Sequence, residues 1–298
     1  MSADLAAALA PRVAGPASHG LNLMRRIVAA PSGVFGLVVA VVLVVVAIFA
    51  PVLAPHSYTA LDIEHRLEGP SSTYWLGTDN LGRDLLSRLM VGARVALQIA
   101  APAVLLGVVL GLALGLAAGY LGGNVDRVIV VVLDAIQSFP AVVLALAVLA
   151  LLGSSTWDVV LVLAVAFVPS FGRVTRTSVQ AIQALPYVDA ERNLGAGPLR
   201  IIGRHVLPNV MPPLIVLTAM NLPAAVGIES GLAFLGLGVQ PPTPDWGVIL
   251  SDGFGRIRDS PWPVLWTCAV LALTTLGFTF LGERLRDVLD VRTTEVRS

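Results

Sequence analysis

The sequence predicts an all-α integral membrane protein with about six membrane-spanning helices. Three observations carry the prediction. Of the 298 residues, 56% are hydrophobic and 13% charged, with a mean hydropathy of +0.84, whereas soluble domains have about 25% charged residues. The apolar residues gather into runs of about twenty, the length that crosses a hydrocarbon core of roughly 30 Å. Arginines concentrate in the segments between alternate runs, as the positive-inside rule describes.

Residues 1–33 are rich in Ala, Pro and Gly and read as a tail ahead of the membrane. The first span covers 34–54; a cleaved leader has an apolar core of only about 7–15 residues, so this longer run reads as an uncleaved anchor. Residues 55–94 are polar, with mixed charge, and end in LLSRLMVGAR, which suits an amphipathic helix lying on the membrane surface. Further spans fall at 95–120, 128–152 and 157–174, and a polar cluster from Arg173 to Asn209 interrupts the hydropathy. Two last spans cover 210–237 and 264–281, separated by the Pro-rich VQPPTPDWG. The chain thus divides into a tail (1–33), a first span with its loop and amphipathic segment (34–94), a core (95–283) containing a polar loop (181–208), and a charged tail (284–298).

With the N-terminus inside, Arg12, Arg25, Arg26, Arg127, the arginines from Arg173 to Arg204 and those from Arg284 onward fall on the inner side. Arg66, Arg83, Arg88, Arg94, Arg256 and Arg258 fall outside. Both termini are therefore expected in the cytoplasm. The formal net charge is zero and there is no basic arm, which argues against nucleic acid as a partner. Cys268, the single cysteine, lies in an apolar run and reads as a small buried hydrophobe; no intrachain disulfide or cysteine metal cluster is possible. All 19 basic residues are arginine, so the chain has no lysine for a phosphate-binding loop; ATP, if it drives the protein, must bind another subunit.

Two patterns within the spans stand out. Gly107, Gly111, Gly115 and Gly119 leave one helix face bare, which lets another backbone approach closely, although glycine is common in membrane helices in any case. Gln98, Asp134, Gln137, Asn221 and Glu229 are costly in lipid and should face water or protein. They are candidates for a translocation path, or for satisfying backbone groups freed by Pro102, Pro140 and Pro223. None has ligand spacing for a metal, and His19, His56, His65 and His205 are scattered.

The segment YVDAERNLGAGPLRIIGRHVLPN, 187–209, is the most informative. A short helix over 189–194, a left-handed Gly195 or Gly197, and Pro198 opening a second helix give helix, turn, helix. In the second helix Leu199, Ile202 and Val206 are expected on one face and Arg200 and Arg204 on another, with Pro208 stopping or kinking the chain before the next span. The segment is long for a link between helices; it reads as a surface connector or as a docking element for a partner.

DAERNLG, nine residues, then HVLP resembles the EAA loop of ABC importer permeases: EAA, three residues, Gly, nine residues, Ile, one residue, Leu-Pro. Ala190, Gly195, Leu207 and Pro208 match in register, Asp189 replaces the first Glu, and Glu191 and His205 depart from the general pattern. LGTDNLGRDLLSRLMVGAR (76–94), ESGLAFLGLGVQPPTPDWG (229–247) and LGERLRDVLD (281–290) resemble segments of the second permease of dipeptide, oligopeptide and nickel importers.

The resemblance implies a type I ABC importer permease fold in the bacterial cytoplasmic membrane. It implies a heterodimer with a homologous permease, one or two ABC ATPase subunits that bind ATP and Mg, and an external substrate-binding protein. The chain itself would hold no cofactor and perform no covalent chemistry. Asp189, Ala190, Glu191, Arg192, Gly195, Arg200, Arg204, His205, Leu207 and Pro208 would then form the ATPase-coupling loop, and the cargo would be short peptides, with nickel or haem as alternatives. The rival from another class is a secondary transporter using Asp134 or Glu229 as an ion or proton site.

Overall fold

The computed structural model describes residues 24–153 and 155–289, and its regular structure is helical. The tails expected before residue 24 and beyond 289 lie outside the described residues. Helix α1 (Pro31–Leu53) opens on a proline, whose missing N–H costs nothing in a first turn. Its buried residues, Gly33, Gly36, Ala40, Leu43, Ala47 and Ala50, form one stripe, while most of its valines point outward. A Cβ on Gly36 would lie 2.7 Å from the Gly277 carbonyl oxygen, so small residues set the approach of α10 (Trp262–Leu289).

Helix α2 (Leu85–Leu121) has 37 residues, capped by Asp84, whose carboxylate accepts from Ser87 N at 2.8 Å. At about 55 Å it is longer than the hydrocarbon is thick. It absorbs the segment expected to lie on the membrane surface. Leu85, Ser87, Arg88, Leu89, Val91 and Ala93 are buried, so this stretch is packed inside the protein. Helix α5 (Thr156–Gln183) starts at a capping box of Ser155 and Asp158 and runs well beyond the expected end at 174. It crosses α2 along the glycine face. Cβ atoms on Gly107, Gly111, Gly115 and Gly119 would meet the Cβ atoms of Phe167, Phe171, Thr175 and Val179 at 3.0, 2.5, 2.5 and 2.8 Å. Both rows step by four, the ridge spacing of close helix packing.

The span expected at 128–152 is broken. Helix α3 (Gly123–Gln137) and α4 (Ala141–Leu152) are bent by 86° at Ser138–Pro140. Pro140 cannot continue a helix begun before it and instead becomes the N-cap of α4. Short α6 (Pro186–Asn193) and α7 (Pro198–Ile201) follow α5. A π-helical turn, Ile202–Val206, then joins α7 to α8 (Leu207–Phe234), so Pro198–Phe234 runs as one element. Pro208 therefore does not end the chain's helix. It sits in the first turn of α8, where the π turn has already widened the backbone and Leu207 N bonds back to Ile202 O. Helix α9 (Trp246–Phe254) packs between α8 and α10.

The bundle has two distinct ends. At the cap end, the connection after α1, the start of α2 and α9 meet: His56 N donates to Ser87 Oγ at 3.1 Å, and Trp246 Nε1 to Leu89 O at 2.9 Å. At the loop end, Gln183 Nε2 donates to Gly119 O at 2.8 Å and Arg284 donates to Arg26 O at 3.0 Å. Arg26 and Arg284 thus share an end with the 184–206 segment. Cys268 is exposed on α10 rather than buried. An apolar run identifies a span but not which of its faces meets neighbouring helices.

Candidate functional site

The element at the loop end is a compact hairpin. Gly195 has φ of +86°, its N–H bonds to Arg192 O (2.9 Å), and Ala196 N bonds to Glu191 O (3.0 Å). This paired closure stops α6 and relies on the left-handed backbone that glycine adopts without strain. Gly197 has ordinary backbone and caps α7. Val188, Ile201 and Val206 form the hairpin's buried core. Leu199 was expected to share a face with Ile202 and Val206, but it is 86% exposed, beside Leu194 at 85%, whereas Val206 is buried. The π turn shifts the register, so Ile201 rather than Ile202 points inward. Tyr187 and His205 rings lie 5.6 Å apart, and His205 Nε2 is 3.5 Å from Glu191 Oε1, tying the two arms together. Arg192 contacts Asp189 (3.2 Å) and donates to Gln183 Oε1 (2.6 Å), linking the hairpin to α5. Asp189, Ala190, Arg192, Gly195, Arg200, Arg204 and Pro208 are exposed, and Glu191, His205 and Leu207 half-buried.

The polar residues of the spans fall into different places. On α3, Asp134 and Gln137 are exposed one turn apart; on α5, Arg173, Thr177 and Gln180 are exposed at spacings of four and three. Arg173 and Arg176, counted as loop residues from hydropathy, are helical and grip α3. Arg176 holds both oxygens of Asp126 through Nε and a terminal nitrogen, and Arg173 reaches Asp134 at 2.6 Å. Between them Leu133, fully buried, covers Gly172. Gln98 is exposed on α2, apart from this strip. Asn221 donates to its own helix at Leu217 O (2.9 Å).

Glu229 does not face open space. It is 1% exposed, accepts from Ser230 Oγ at 3.3 Å, and lies within hydrogen-bonding reach of the fully buried Asp245 carboxyl at the start of α9. Nearby at the cap end, Asp79 collects two arginines: Arg83 Nε lies 2.6 Å and Arg88 Nε 3.2 Å from its Oδ2, while its Oδ1 accepts from Leu81 N and Arg83 N. All three side chains are under 10% exposed. The Trp246 ring closes over Gly92, where a Cβ would meet it at 2.6 Å.

Residues 107–295 match the family described as binding-protein-dependent transport system inner membrane component, and residues 22–70 match the N-terminal TM domain of oligopeptide transport permease C. The dipeptide transport system permease protein of Alkalihalophilus pseudofirmus is 39% identical over 86% of this chain and 84% of its own length. The chain belongs to the binding-protein-dependent permease family. Other relatives of this permease are the glutathione transport system permease protein of Pectobacterium atrosepticum, 37% identical over 90% of this chain and 88% of that one, and a probable D,D-dipeptide transport system permease protein of Escherichia coli, 34% identical over 91% of each. Among solved structures, the inward-facing MetNI methionine ABC transporter matches with a TM-score of 0.54 at 21% identity over 68% of this chain and 97% of that one. An amino acid ABC transporter gives 0.54 at 17% over 68% and 94%. Both share the fold.

The protein is thus a multi-pass permease subunit of the ABC importer class, and the secondary-transporter reading is not favoured. Neither carboxylate that prompted that reading stands free: Asp134 is ion-paired and Glu229 is enclosed. Sequence reasoning missed the Asp79, Arg83, Arg88 cluster because mixed charge beside a span looks like a solvated loop. The signal was there in the four-residue spacing of Asp79 and Arg83 and in Asp84 placed as an N-cap. It also missed the polar strip of α5, which a helical reading beyond residue 174 would have found.

Proposed function

We propose that this permease forms one half of a pathway for short peptides in the bacterial cytoplasmic membrane, working with a homologous permease, separate ATPase subunits that bind ATP and Mg, and an external binding protein. The observation that carries the reading is that relatives aligned over 84–91% of this chain are named for dipeptide, D,D-dipeptide and glutathione transport, all short peptides. The loop end is read as cytoplasmic from its arginines, and its hairpin as the docking element. Exposed Leu194 and Leu199 flank a rigid turn and suit an apolar recess on an ATPase, with Arg192, Arg200 and Arg204 around them. Movement of the docked hairpin would pass directly into α8, because the π turn joins them without a loop, and so bias the bundle between two states. The test is reconstitution of the four-component complex in proteoliposomes with radiolabelled alanyl-alanine. ATP-dependent accumulation that requires the binding protein is expected; its absence in an assembled complex would refute the peptide reading.

A further inference from the structure

We propose that Gln183 is a positioning residue that carries motion of the docking hairpin into the α2–α5 pair, because its one carboxamide joins all three elements. The inference rests on the reading of the hairpin as the element that docks an ATPase.

The hairpin is attached to the bundle in two unequal ways. Toward α8 the π turn makes the helix continuous. Toward α5 the chain passes through Ala184 and Leu185, and Leu185 leaves the helical conformation, with φ of −82° and ψ of 137°. Each of these residues has two soft backbone dihedrals, so a pull on the hairpin would be absorbed there by bending. A side-chain contact spans the link: Arg192 of α6 donates to Gln183 Oε1 at 2.6 Å.

On its other side Gln183 reaches α2. Phe167, Phe171, Thr175 and Val179 form the row of α5 that packs on the glycine face, and Gln183 is the next residue in the same step of four. The amide donates to Gly119 O at 2.8 Å. That carbonyl lies among the last four of α2, which have no amide ahead of them in their own helix. Gln183 therefore caps α2 as well as tethering it. Two turns earlier Arg176 grips Asp126 of α3, so the same end of α5 holds both helices that meet at Gly122.

The chemistry required at this position is narrow. A guanidinium can only donate and a carbonyl can only accept, so the side chain between them must accept with one atom and donate with another. A carboxamide does both. An ionised glutamate would keep Arg192 but set a carboxylate against the Gly119 carbonyl. Lysine would keep the carbonyl but set an ammonium against the guanidinium, and leucine would keep neither. When the hairpin is displaced, α8 follows through its backbone and the α2–α5 pair follows through Gln183, so the helices on both sides of the hairpin turn together.

The test is the reconstituted four-component complex, read as radiolabelled alanyl-alanine accumulated per ATP hydrolysed, with subunit stoichiometry checked first. Loss of a hydrogen bond to a charged group is worth about tenfold or more. Gln183→Leu and Arg192→Leu are each expected to lower the ratio about tenfold, and the double variant no further than Gln183→Leu, because both break one connection. Two further variants separate a relay from simpler roles. A residue that only caps α2 would be rescued by Gln183→Lys, and one that only orders the hairpin by Gln183→Glu; a relay is rescued by neither. A wild-type ratio in an assembled Gln183→Lys or Gln183→Glu complex overturns the proposal. Should the Gln183 variants fail to assemble, Arg192→Leu, at an exposed position, decides: a tenfold loss with the ATPase still bound supports the relay, and an unchanged ratio overturns it. Leu194→Glu combined with Leu199→Glu tests the docking reading separately. If that variant still binds the ATPase and imports, the docking reading and the relay fall together. If it loses the ATPase while Gln183→Leu keeps both the ATPase and a wild-type ratio, the relay alone falls.

Discussion

The two ends of the bundle treat charge in opposite ways. At the cap end, Asp79, Arg83 and Arg88 are nearly sealed from solvent, both arginines pair with the one carboxylate while Arg88 Nη1 has no hydrogen-bond partner, and Trp246 locks α9 onto α2 through one hydrogen bond and a glycine-sized gap. At the loop end, Arg200, Arg204, Leu194 and Leu199 project outward with little to hold them. A region that closes its own charges is built for its own stability, because breaking a buried pair leaves an uncompensated charge. A region that leaves leucines above 80% exposed beside arginines suits the docking role proposed for it. Substitutions of equal chemical size should therefore fall on different observables at the two ends.

The largest effects belong to the cap. Asp79→Leu would strand two arginines under 10% exposed and is expected to cost about 3–5 kcal/mol. Trp246→Ala, which opens a cavity and removes the hydrogen bond to the Leu89 carbonyl, should cost a similar amount, about 3–5 kcal/mol. Thermal unfolding of the purified permease in detergent checks both. Stability equal to wild type for either would break the contrast between a self-sufficient cap and an open loop end.

Gly195→Val comes next, and here the observable moves from stability to transport. A Cβ at Gly195 meets nothing within 4 Å, so the penalty is conformational alone, at φ of +86°. About 1–2 kcal/mol is expected for forcing a side chain into the left-handed region, and Asn, which tolerates it, should retain most activity. The complex should assemble with uptake lost and ATP hydrolysis no longer stimulated by substrate. Arg200→Glu, an exposed single charge, should be mild, below about 1 kcal/mol. Full uptake by Gly195→Val would refute the coupling role of the turn.

Glu229 is where the comparison sharpens the sequence reading. As a pathway residue it would be sensitive to loss of charge; enclosed against Asp245 and Ser230, it should be sensitive to loss of hydrogen bonding instead. Glu229→Gln supplies a donor to the Asp245 carboxylate and should leave uptake and thermal stability near wild type, whereas Glu229→Leu leaves Asp245 buried without that partner and should lose about 1–3 kcal/mol. Impaired uptake in a stable Glu229→Gln complex would return Glu229 to the pathway.

The limits of the sequence reading follow from what hydropathy measures. It locates apolar length, so the spans were legible, and glycines at a spacing of four announced a close contact that proves to be α2 with α5. Turn chemistry was legible too: Gly195 and Pro198 mark the hairpin as the backbone uses them. Hydropathy is blind to helices that outrun the hydrocarbon. Leu85–Arg94 and Arg173–Gln183 looked like loop or surface because they are polar, yet they continue α2 and α5, with Arg88 paired to Asp79 in the preceding loop and Arg173 and Arg176 paired to α3. It is blind also to the π turn, whose extra residue rotates Leu199 outward and lets Pro208 sit inside a continuous helix.

The smallest effect expected lies in the outer layer of the cap, where charge is exposed. Asp62 Oδ2 receives the Tyr74 hydroxyl at 2.8 Å and lies 2.8 Å from His65 Nδ1. The hydrogen bond to Asp62 raises the imidazole's pKa above its ordinary value, with Glu68 and Glu64 adding to the same direction. The same contact, with Tyr74 second, lowers that of the Asp62 carboxyl. A raised histidine contributes order that is complete below its unfolded pKa and lost as pH rises through the folded one. A lowered carboxylate contributes order above its unfolded pKa that is lost as pH falls through the folded one. The contact is therefore intact in mildly acidic solution and weakens on both sides, and on the alkaline side it is His65 that lets go. Both groups are open to solvent, so global stability should hardly move. Local opening should: amide exchange at Asp62 and Leu67, which bond to Leu81 O and Asp79 O, is expected to quicken from pH 6 to pH 9 beyond the intrinsic chemical rate. In His65→Gln that excess should vanish. An excess that persists in the variant would show that the loop is held by its backbone alone and that the exposed layer adds nothing to the buried one.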